Sequence, residues 1–313
     1  MGPSLHPATG FPIARTRSLL KGAAMGPSSR VRRCPVNLSG MFAAVIAAGA
    51  GVTWVAGQGP SAPPAFRSEE PSYRGLDANL YMRSAAEYRA CCFQAFNLAV
   101  ERLKAAAAAV RSPDRLAVIL DLDETILDNG GFQAVQTRSN LAYDQRLWEL
   151  WEQHEGERIG LVPGAREFVT AAVDLGVTPI YISNRDRTYH EQTKQVLHRL
   201  ELPLNDDRWL MLADATTGSD KTSRRAAAEK EFRVVLLIGD NLRDFDETFR
   251  FSSTLVVAGK REEAIDARRR AVDRRRADFG DRFIILPNPA YGEWNKVLGH
   301  GLADLDLLAP PRP

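Results

Sequence analysis

Beyond Pro113 the sequence alternates short, uninterrupted apolar runs with longer stretches that have helical periodicity. The apolar runs predict strands at 116–122, 178–183, 209–212, 234–238, 254–257 and 283–286. The stretches between them predict helices at 163–175, 187–200, 223–232 and 262–278. Continuous apolar strands separated by helices are typical of parallel strands that are covered on both faces. The sequence therefore predicts an α/β fold with a doubly wound parallel sheet, in which a small helical cap at about 129–160 interrupts the alternation.

Two carboxylates follow the first predicted strand directly. Asp121 and Asp123 are spaced i, i+2, so in extended geometry their side chains point the same way. In a doubly wound sheet the carboxyl ends of the strands form the ligand-binding crevice. Two neighbouring carboxylates repel each other, and a divalent cation is the simplest way to neutralise them. Taken alone, such a pair also fits a solvated acidic turn.

The other predicted strands end in polar residues as well. The strand at 178–183 leads into Ser183, Asn184 and Arg185, and the strand at 234–238 leads into Gly239 and Asp240. Between them, Lys221 precedes a predicted helix, and Asp244 follows four residues after Asp240. Because agreement among independent features makes coincidence improbable, the sequence predicts one polar site along the carboxyl edge of the sheet.

This order of residues resembles the haloacid-dehalogenase-like hydrolase superfamily. The words D-L-D-E-T-x-L-D-N, S-N-R, D-K-x-x-R-R, G-D-N-L-x-D-F and L-P-N-P-x-Y-G-x-W are similar to those of the secreted class B and class C acid phosphatases. Within that group the chain looks most like the bacterial surface 5′-nucleotidases that usually occur as lipoproteins. The resemblance covers residues 76 to about 298 and includes the helical word S-A-x-E-Y-R-A, which begins at Ser84.

The resemblance implies a Mg²⁺-dependent phosphomonoesterase and gives each site residue a role. Asp121 would attack phosphorus and form an aspartyl-phosphate, and Asp123 would be the general acid and base. The metal ligands would be Asp121, Asp123 (through its carbonyl) and Asp240, supported by Asp244. Lys221 and the Ser183 hydroxyl would bind the phosphoryl oxygens. The remaining predicted substrate contacts at this edge are Asn184 and Arg185.

Substrate choice is expected to depend on aromatic residues of the cap and of the C-terminal segment. The resemblance implies small phosphomonoesters as substrates, 5′-nucleotides above all and nicotinamide mononucleotide among them, with Tyr143, Trp148 and Tyr291 against the base. Trp148 and Trp151 are spaced i, i+3 on a predicted helix, so packing in the core explains both equally well. Tyr291 lies in a predicted turn, where such packing is less expected.

The N-terminal part of the chain has the composition of a targeting segment. Residues 1–57 contain a basic stretch and then a short apolar run at 41–56, and Met25 offers a later start. A linker follows at 58–75, and a phosphatase domain at 76–313 opens with a helix at 76–109. This layout predicts an exported protein, periplasmic or associated with the cell envelope, and leaves open membrane association through an uncleaved segment. The small residues that end the apolar run, Val55 to Gly57, are followed by Gln58 and not by a cysteine, so a lipid anchor is not supported.

Composition restricts the alternatives. With 41 basic and 39 acidic residues the net charge is only +2, which disfavours nucleic acid as a partner. Three cysteines are too few for a disulfide scaffold at this length. Two alternatives on the same fold remain open. One is a surface protein that captures haem or a nutrient, and the other is a phosphotransferase that differs only in the acceptor.

Overall fold

The computed structural model describes residues 75–110 and 115–298, and its centre is a sheet of five parallel strands. In chain order the strands are β1 Leu116–Leu120, β2 Leu127–Asp128, β3 Gly160–Leu161, β4 Thr178–Asp186, β5 Leu210–Ala213, β6 Arg233–Gly239 and β7 Phe283–Ile285. The large sheet has the order β5-β4-β1-β6-β7. The chain thus winds outward from β1 on one side and then crosses to the other, which confirms the predicted doubly wound α/β fold.

Apolar side chains on both faces of β1 explain its uninterrupted hydrophobic sequence. All five residues of the strand are buried. Val118 belongs to one hydrophobic cluster and Ile119 to the other, because successive side chains of a strand point to opposite faces. Helices cover the two faces, and those at 86–109, 165–174 and 190–199 contribute buried apolar residues to the first cluster, whereas those at 222–229 and 261–274 contribute to the second.

The helices have the following bounds. They are α1 Leu76–Ser84, α2 Ala86–Ala109, α3 Gly130–Ser139, α4 Gln145–His154, α5 Ala165–Asp174, α6 His190–Arg199, α7 Thr222–Glu229, α8 Ser253–Val257 and α9 Arg261–Arg274. The single helix predicted at 76–109 is wrong in one respect, because it is divided into α1 and α2. The Ser84 hydroxyl donates a 2.6 Å hydrogen bond to the Leu80 carbonyl, and Ala85 is extended.

The predicted strand at 254–257 is also wrong, because this segment forms the short helix α8. Its sequence, T-L-V-V, has strong β propensity but no neighbouring strand to join. The Ser252 hydroxyl instead accepts a 3.3 Å hydrogen bond from the Leu255 amide and caps the helix. Val257 is 89% exposed, so its apolar character reflects no core position. The sheet therefore has five strands where the sequence predicted six.

The segment between β2 and β3 contains α3 and α4, where the sequence predicted a cap. Leu127 pairs with Leu161, and Asp128 pairs with Gly160, in a two-stranded antiparallel hairpin. The hairpin brings the two ends of the inserted segment together beside the carboxyl end of β1. The two cap helices are therefore held next to the edge of the sheet where the polar residues were predicted.

The predicted targeting segment at 1–57, and all of the predicted linker except Gly75, lie outside the described residues. Within the two described ranges, no helix combines the length and the apolar character needed to cross a membrane. The domain boundaries given by the sequence stay a prediction.

Candidate active site

Strand register brings the predicted polar residues to one edge. Leu120 of β1 pairs with Tyr181 of β4 and with Ile238 of β6. Asp121 follows Leu120 immediately, and its backbone amide donates a 3.0 Å hydrogen bond to the Ile238 carbonyl. The residues that follow Leu120, Tyr181 and Ile238 therefore lie side by side at the carboxyl edge of the sheet, next to Asp121.

Three carboxylates form a compact acidic cluster at this edge. One oxygen from each of Asp121, Asp240 and Asp244 lies within 4.8 Å of the others. Burial, together with the adjacent carboxylates, raises the pKa of Asp121 well above its usual value. Burial, and then the charge of Asp244, raises the pKa of Asp240 to about 7. Hard carboxylate oxygens at this spacing fit a divalent cation such as Mg²⁺.

The Lys221 ammonium compensates part of this negative charge. It is buried immediately before α7 and donates to Asp121 Oδ1 and, at 2.7 Å, to Asp244 Oδ1. Burial opposes the charge on Lys221, but the two carboxylates outweigh burial and raise its pKa. Lys221 is therefore a fixed cation beside the first aspartate, as an electrostatic clamp for a phosphoryl group requires.

Asp123 lies in a separate network of hydrogen bonds. Its Oδ1 accepts from Arg185 Nε and from Asn129 Nδ2, both at 2.9 Å, and its Oδ2 accepts from the Ser183 hydroxyl at 3.2 Å. The Arg185 guanidinium also donates to Asn129 Oδ1 at 3.1 Å. The carboxylate of Asp123 is thus held in one orientation and is not among the three that form the acidic cluster.

Two predicted ligands of the substrate, Ser183 and Arg185, have side-chain partners within the protein. Ser183 and Arg185 are buried, and neither is among the described residues that line the cavity above the site. Their side chains bind Asp123 instead, because the guanidinium and the hydroxyl satisfy the carboxylate that follows β1. Their contacts fit residues that orient Asp123, and direct contact with substrate stays a prediction for both.

A cavity of about 880 Å³ opens above the carboxylates. Its floor contains Asp121, Asp123 and Lys221 together with Asp240 and Asp244. The other predicted residues that line it are Asn184, Tyr143, Trp148 and Tyr291. The site therefore has a charged floor and partly aromatic walls, as a phosphomonoester with a flat organic group would require.

The two cap tryptophans have different positions. Trp148 lines the cavity and packs edge-on against Phe132, with ring centroids 5.1 Å apart. Trp151 is buried, and its indole N–H donates a 3.0 Å hydrogen bond to Asn129 Oδ1. Its ring leaves no room for a side chain at Gly131. For Trp151, therefore, the core-packing alternative applies.

Sequence reasoning missed two asparagines of the site. Asn129 joins Asp123, Arg185 and Trp151 through its side-chain amide. The Nδ2 of Asn288 donates a 2.8 Å hydrogen bond to Asp240 Oδ2 and holds that carboxylate from the C-terminal segment. Both lie within words that carried the family resemblance, so their positions in those words were the available signal.

Comparisons with known proteins agree with this geometry. Residues 76–294 match the model of the HAD superfamily, subfamily IIIB (acid phosphatase). The structure of the class C acid phosphatase from Bacillus anthracis is similar, at 31% identity and a TM-score of 0.64 over 73% of this chain and 89% of that one. Its crystal structure with tungstate bound gives 31% identity and a TM-score of 0.65 over 75% and 94% of the two chains.

A doubly wound sheet with an Asp-x-Asp pair, a lysine and a second acidic pair at its carboxyl edge defines a haloacid-dehalogenase-like phosphohydrolase. The chain belongs to subfamily IIIB of that superfamily, the acid phosphatases. It is a phosphoric monoester hydrolase, in agreement with its similarity to class C acid phosphatases.

Proposed function

We propose that the protein is an exported, Mg²⁺-dependent acid phosphatase that acts on 5′-nucleotides through an aspartyl-phosphate on Asp121. The observation that carries the chemistry is the pairing of Asp121 with Lys221, beside a second acid, Asp123, at the floor of one cavity. The alternative of a ligand-capture protein is not favoured, since capture of a ligand does not require these two acids and this lysine side by side.

The two aspartates divide the work of hydrolysis. One Asp121 oxygen attacks phosphorus while the bond from phosphorus to the leaving oxygen breaks, and protonated Asp123 gives its proton to that oxygen. Asp123 then removes a proton from a water molecule that attacks phosphorus. The bond from phosphorus to Asp121 breaks, and inorganic phosphate and the free carboxylate are restored. Lys221 stays charged throughout and binds a phosphoryl oxygen.

The residues that would hold the cation are the three of the acidic cluster, Asp121, Asp240 and Asp244. When bound, Mg²⁺ would neutralise negative charge on the phosphoryl group and on the attacking carboxylate. Asn288 and Thr125 fix Asp240 through hydrogen bonds of 2.8 and 3.2 Å, so one ligand is oriented from two elements. Such fixed outer partners are typical of metal sites in proteins.

Metal removal tests this proposal on the full-length chain. We expect phosphate release from 5′-AMP, nicotinamide mononucleotide and p-nitrophenyl phosphate to fall at least about 100-fold in EDTA, because the acidic cluster then repels the phosphoryl group. Excess Mg²⁺ should restore the rate. Release that is unchanged in EDTA after exhaustive dialysis would contradict the Mg²⁺ requirement, and no release under any condition would contradict the phosphatase function.

The aromatic walls support nucleotides as the substrate class. Tyr143 and Trp148 of the cap and Tyr291 of the C-terminal segment line the cavity above the carboxylates. A base that stacks on one such ring gains about 1–3 kcal/mol. The similar phosphatase from Bacillus anthracis has a structure with tungstate bound, and tungstate is a tetrahedral oxyanion like phosphate, which supports a phosphate ester as the substrate here.

The contribution of stacking can be measured with Tyr143→Ala. Tyr143 is 61% exposed, so its removal should not affect folding. We expect KM for 5′-AMP to rise about tenfold, the equivalent of about 1.4 kcal/mol, with kcat little changed. KM for β-glycerophosphate, which has no ring, should stay within twofold. Tyr189→Ala, an aromatic residue outside the described cavity lining, is the matched control. An equal rise for both substrates would contradict base stacking.

Export is proposed from the order of the N-terminal segment alone, namely basic residues, a short apolar run at 41–56 and small residues after it. Mass spectrometry of the protein recovered from the cell envelope of its producing cells would test it. A chain that begins after residue 56 supports a cleaved signal, retention of 41–56 supports an anchor, and recovery only from the cytoplasm contradicts export.

A further inference from the structure

Two adjacent arginines of α7 have no role in the function proposed above. Arg224 and Arg225 belong to the D-K-x-x-R-R word and follow Lys221 by three and four residues. Both are at most 8% exposed. Among the described residues no carboxylate forms an ion pair with either guanidinium, and burial lowers the pKa of both. Nearby carboxylates offset only part of the cost of burying these two cations, so the groups that bind the guanidiniums directly indicate what they do.

Arg224 binds the end of β4. Its Nη1 donates to the Ser183 carbonyl, and its Nη2 donates to Asn184 Oδ1 at 2.8 Å and to the Asp220 carbonyl at 3.1 Å. The same two residues of β4 are the ones that meet the site, because the Ser183 hydroxyl holds Asp123 and Asn184 lines the cavity. Arg224 therefore ties the start of α7 to the strand that supports the general acid.

Arg225 binds the turn that follows β6. Its Nη1 donates to the carbonyls of Arg243 and Asp244, both at 3.2 Å, and its Nη2 donates to Thr222 Oγ1 at 3.2 Å. Asp244 is a member of the acidic cluster and binds Lys221. Arg225 therefore ties the start of α7 to the turn that supplies a carboxylate for the cation.

We propose that Arg224 and Arg225 are positioning residues with separate tasks, Arg224 for the acid–base side of the site and Arg225 for the cation side. The inference rests on the proposed function and deepens it. Because Lys221 lies at the start of the same helix, the two guanidiniums fix the distance of both strand ends from the phosphate clamp. A guanidinium reaches two acceptors at once from a planar group, whereas lysine is a single point charge, so lysine should not replace either fully.

The two tasks predict two different kinetic defects. In Arg225→Lys the Mg²⁺ concentration for half-maximal rate should rise about tenfold, in the range typical of lost outer-sphere contacts, and saturating Mg²⁺ should restore kcat to within about threefold. Mg²⁺ binding measured by calorimetry should weaken by the same factor without any substrate. In Arg224→Lys Mg²⁺ binding should stay within twofold of the wild type.

Arg224→Lys should instead impair proton transfer. At saturating Mg²⁺ we expect kcat for 5′-AMP to fall, because its leaving oxygen needs a proton. The rate at which p-nitrophenyl phosphate phosphorylates the enzyme should fall less, by a factor at least about tenfold smaller, because its leaving group departs without a proton. Arg270→Lys, an exposed arginine of α9, is the matched control and should change neither readout. Methionine variants, which keep volume and remove all donors, should enlarge each defect, and thermal unfolding of every variant reports its folding.

The outcomes separate this inference from the function on which it depends. A wild-type protein that neither binds Mg²⁺ nor releases phosphate would contradict the proposed function itself. The separate tasks would be overturned if the wild type is active but Arg224→Lys and Arg225→Lys change Mg²⁺ affinity by the same factor and also change the leaving-group dependence of the rate by the same factor. Both arginines would then be merely structural. If the methionine variants fail to fold, the lysine variants alone decide between these results.

Discussion

Asp121→Asn should lower kcat for every phosphomonoester by at least about 10³-fold while the protein stays folded. An asparagine amide keeps the shape of the carboxyl group but is not a nucleophile, so no aspartyl-phosphate can form. Folding should tolerate the change because burial and the neighbouring carboxylates already disfavour the Asp121 anion, as its raised pKa indicates. Lys221 keeps its hydrogen bond to Asp244. Phosphate release and thermal unfolding, measured side by side, check both parts.

The covalent step has a direct readout. Wild-type protein quenched in acid during turnover should carry phosphate on the peptide that contains Asp121, and the variant should carry none. Asp281 is an exposed aspartate that forms a surface ion pair with Arg102, so Asp281→Asn is the matched control and should retain full activity. A variant at Asp121 that kept a tenth of the wild-type rate would show that another group attacks phosphorus.

The sequence predicted the position of the site well because the physics of a parallel sheet is simple. A buried strand between two other strands needs apolar residues on both faces, so β1 could be identified from its composition. Parallel strands end at one edge, which is why residues as distant in sequence as Asp121, Lys221 and Asp240 could be assigned to one site. The structure brings them together at the floor of the cavity.

Side-chain partners could not be predicted in the same way. The sequence placed Arg185 at the edge of the sheet but did not show that its buried guanidinium binds Asp123 and Asn129. Which acceptor a long side chain reaches depends on cap residues that are distant in sequence. Trp148 and Trp151 show the same limit, since the i, i+3 spacing puts both on one helix face and only tertiary packing decides which ring meets the cavity.

Local propensity failed where tertiary contacts were missing. The segment 254–257 is rich in β-branched residues, but a strand is stable only with a neighbour that accepts its hydrogen bonds. The Ser252 cap makes a short helix the better local solution. At the N-terminal helices, the extended Ala85 divides a periodic stretch into α1 and α2. The buried stripe of α2 is undisturbed and consists of Tyr88, Cys92, Phe96, Ala99 and Leu103.

Asp123→Asn should separate the two chemical steps. The asparagine oxygen can still accept from Arg185, and its amide N–H can donate to the Ser183 hydroxyl, but the side chain cannot give or take a proton in catalysis. With 5′-AMP, whose leaving oxygen needs protonation, kcat should fall about 10²- to 10⁴-fold because phosphorylation of Asp121 becomes slow. With p-nitrophenyl phosphate the leaving group departs without help, so phosphorylation stays fast and only the attack of water is impaired.

Rapid mixing distinguishes these cases. The variant should release about one nitrophenol per active site in a burst and then turn over slowly, while phosphate accumulates on Asp121, as expected when breakdown of a covalent intermediate limits the rate. No burst should appear with 5′-AMP. Equal losses of kcat for both substrates, without a burst, would mean that Asp123 only positions Asp121 and transfers no proton. The Asp281→Asn control excludes a general effect of removing one negative charge. Because the burst requires an active nucleophile and a failed base in the same molecule, its appearance would assign both aspartates at once.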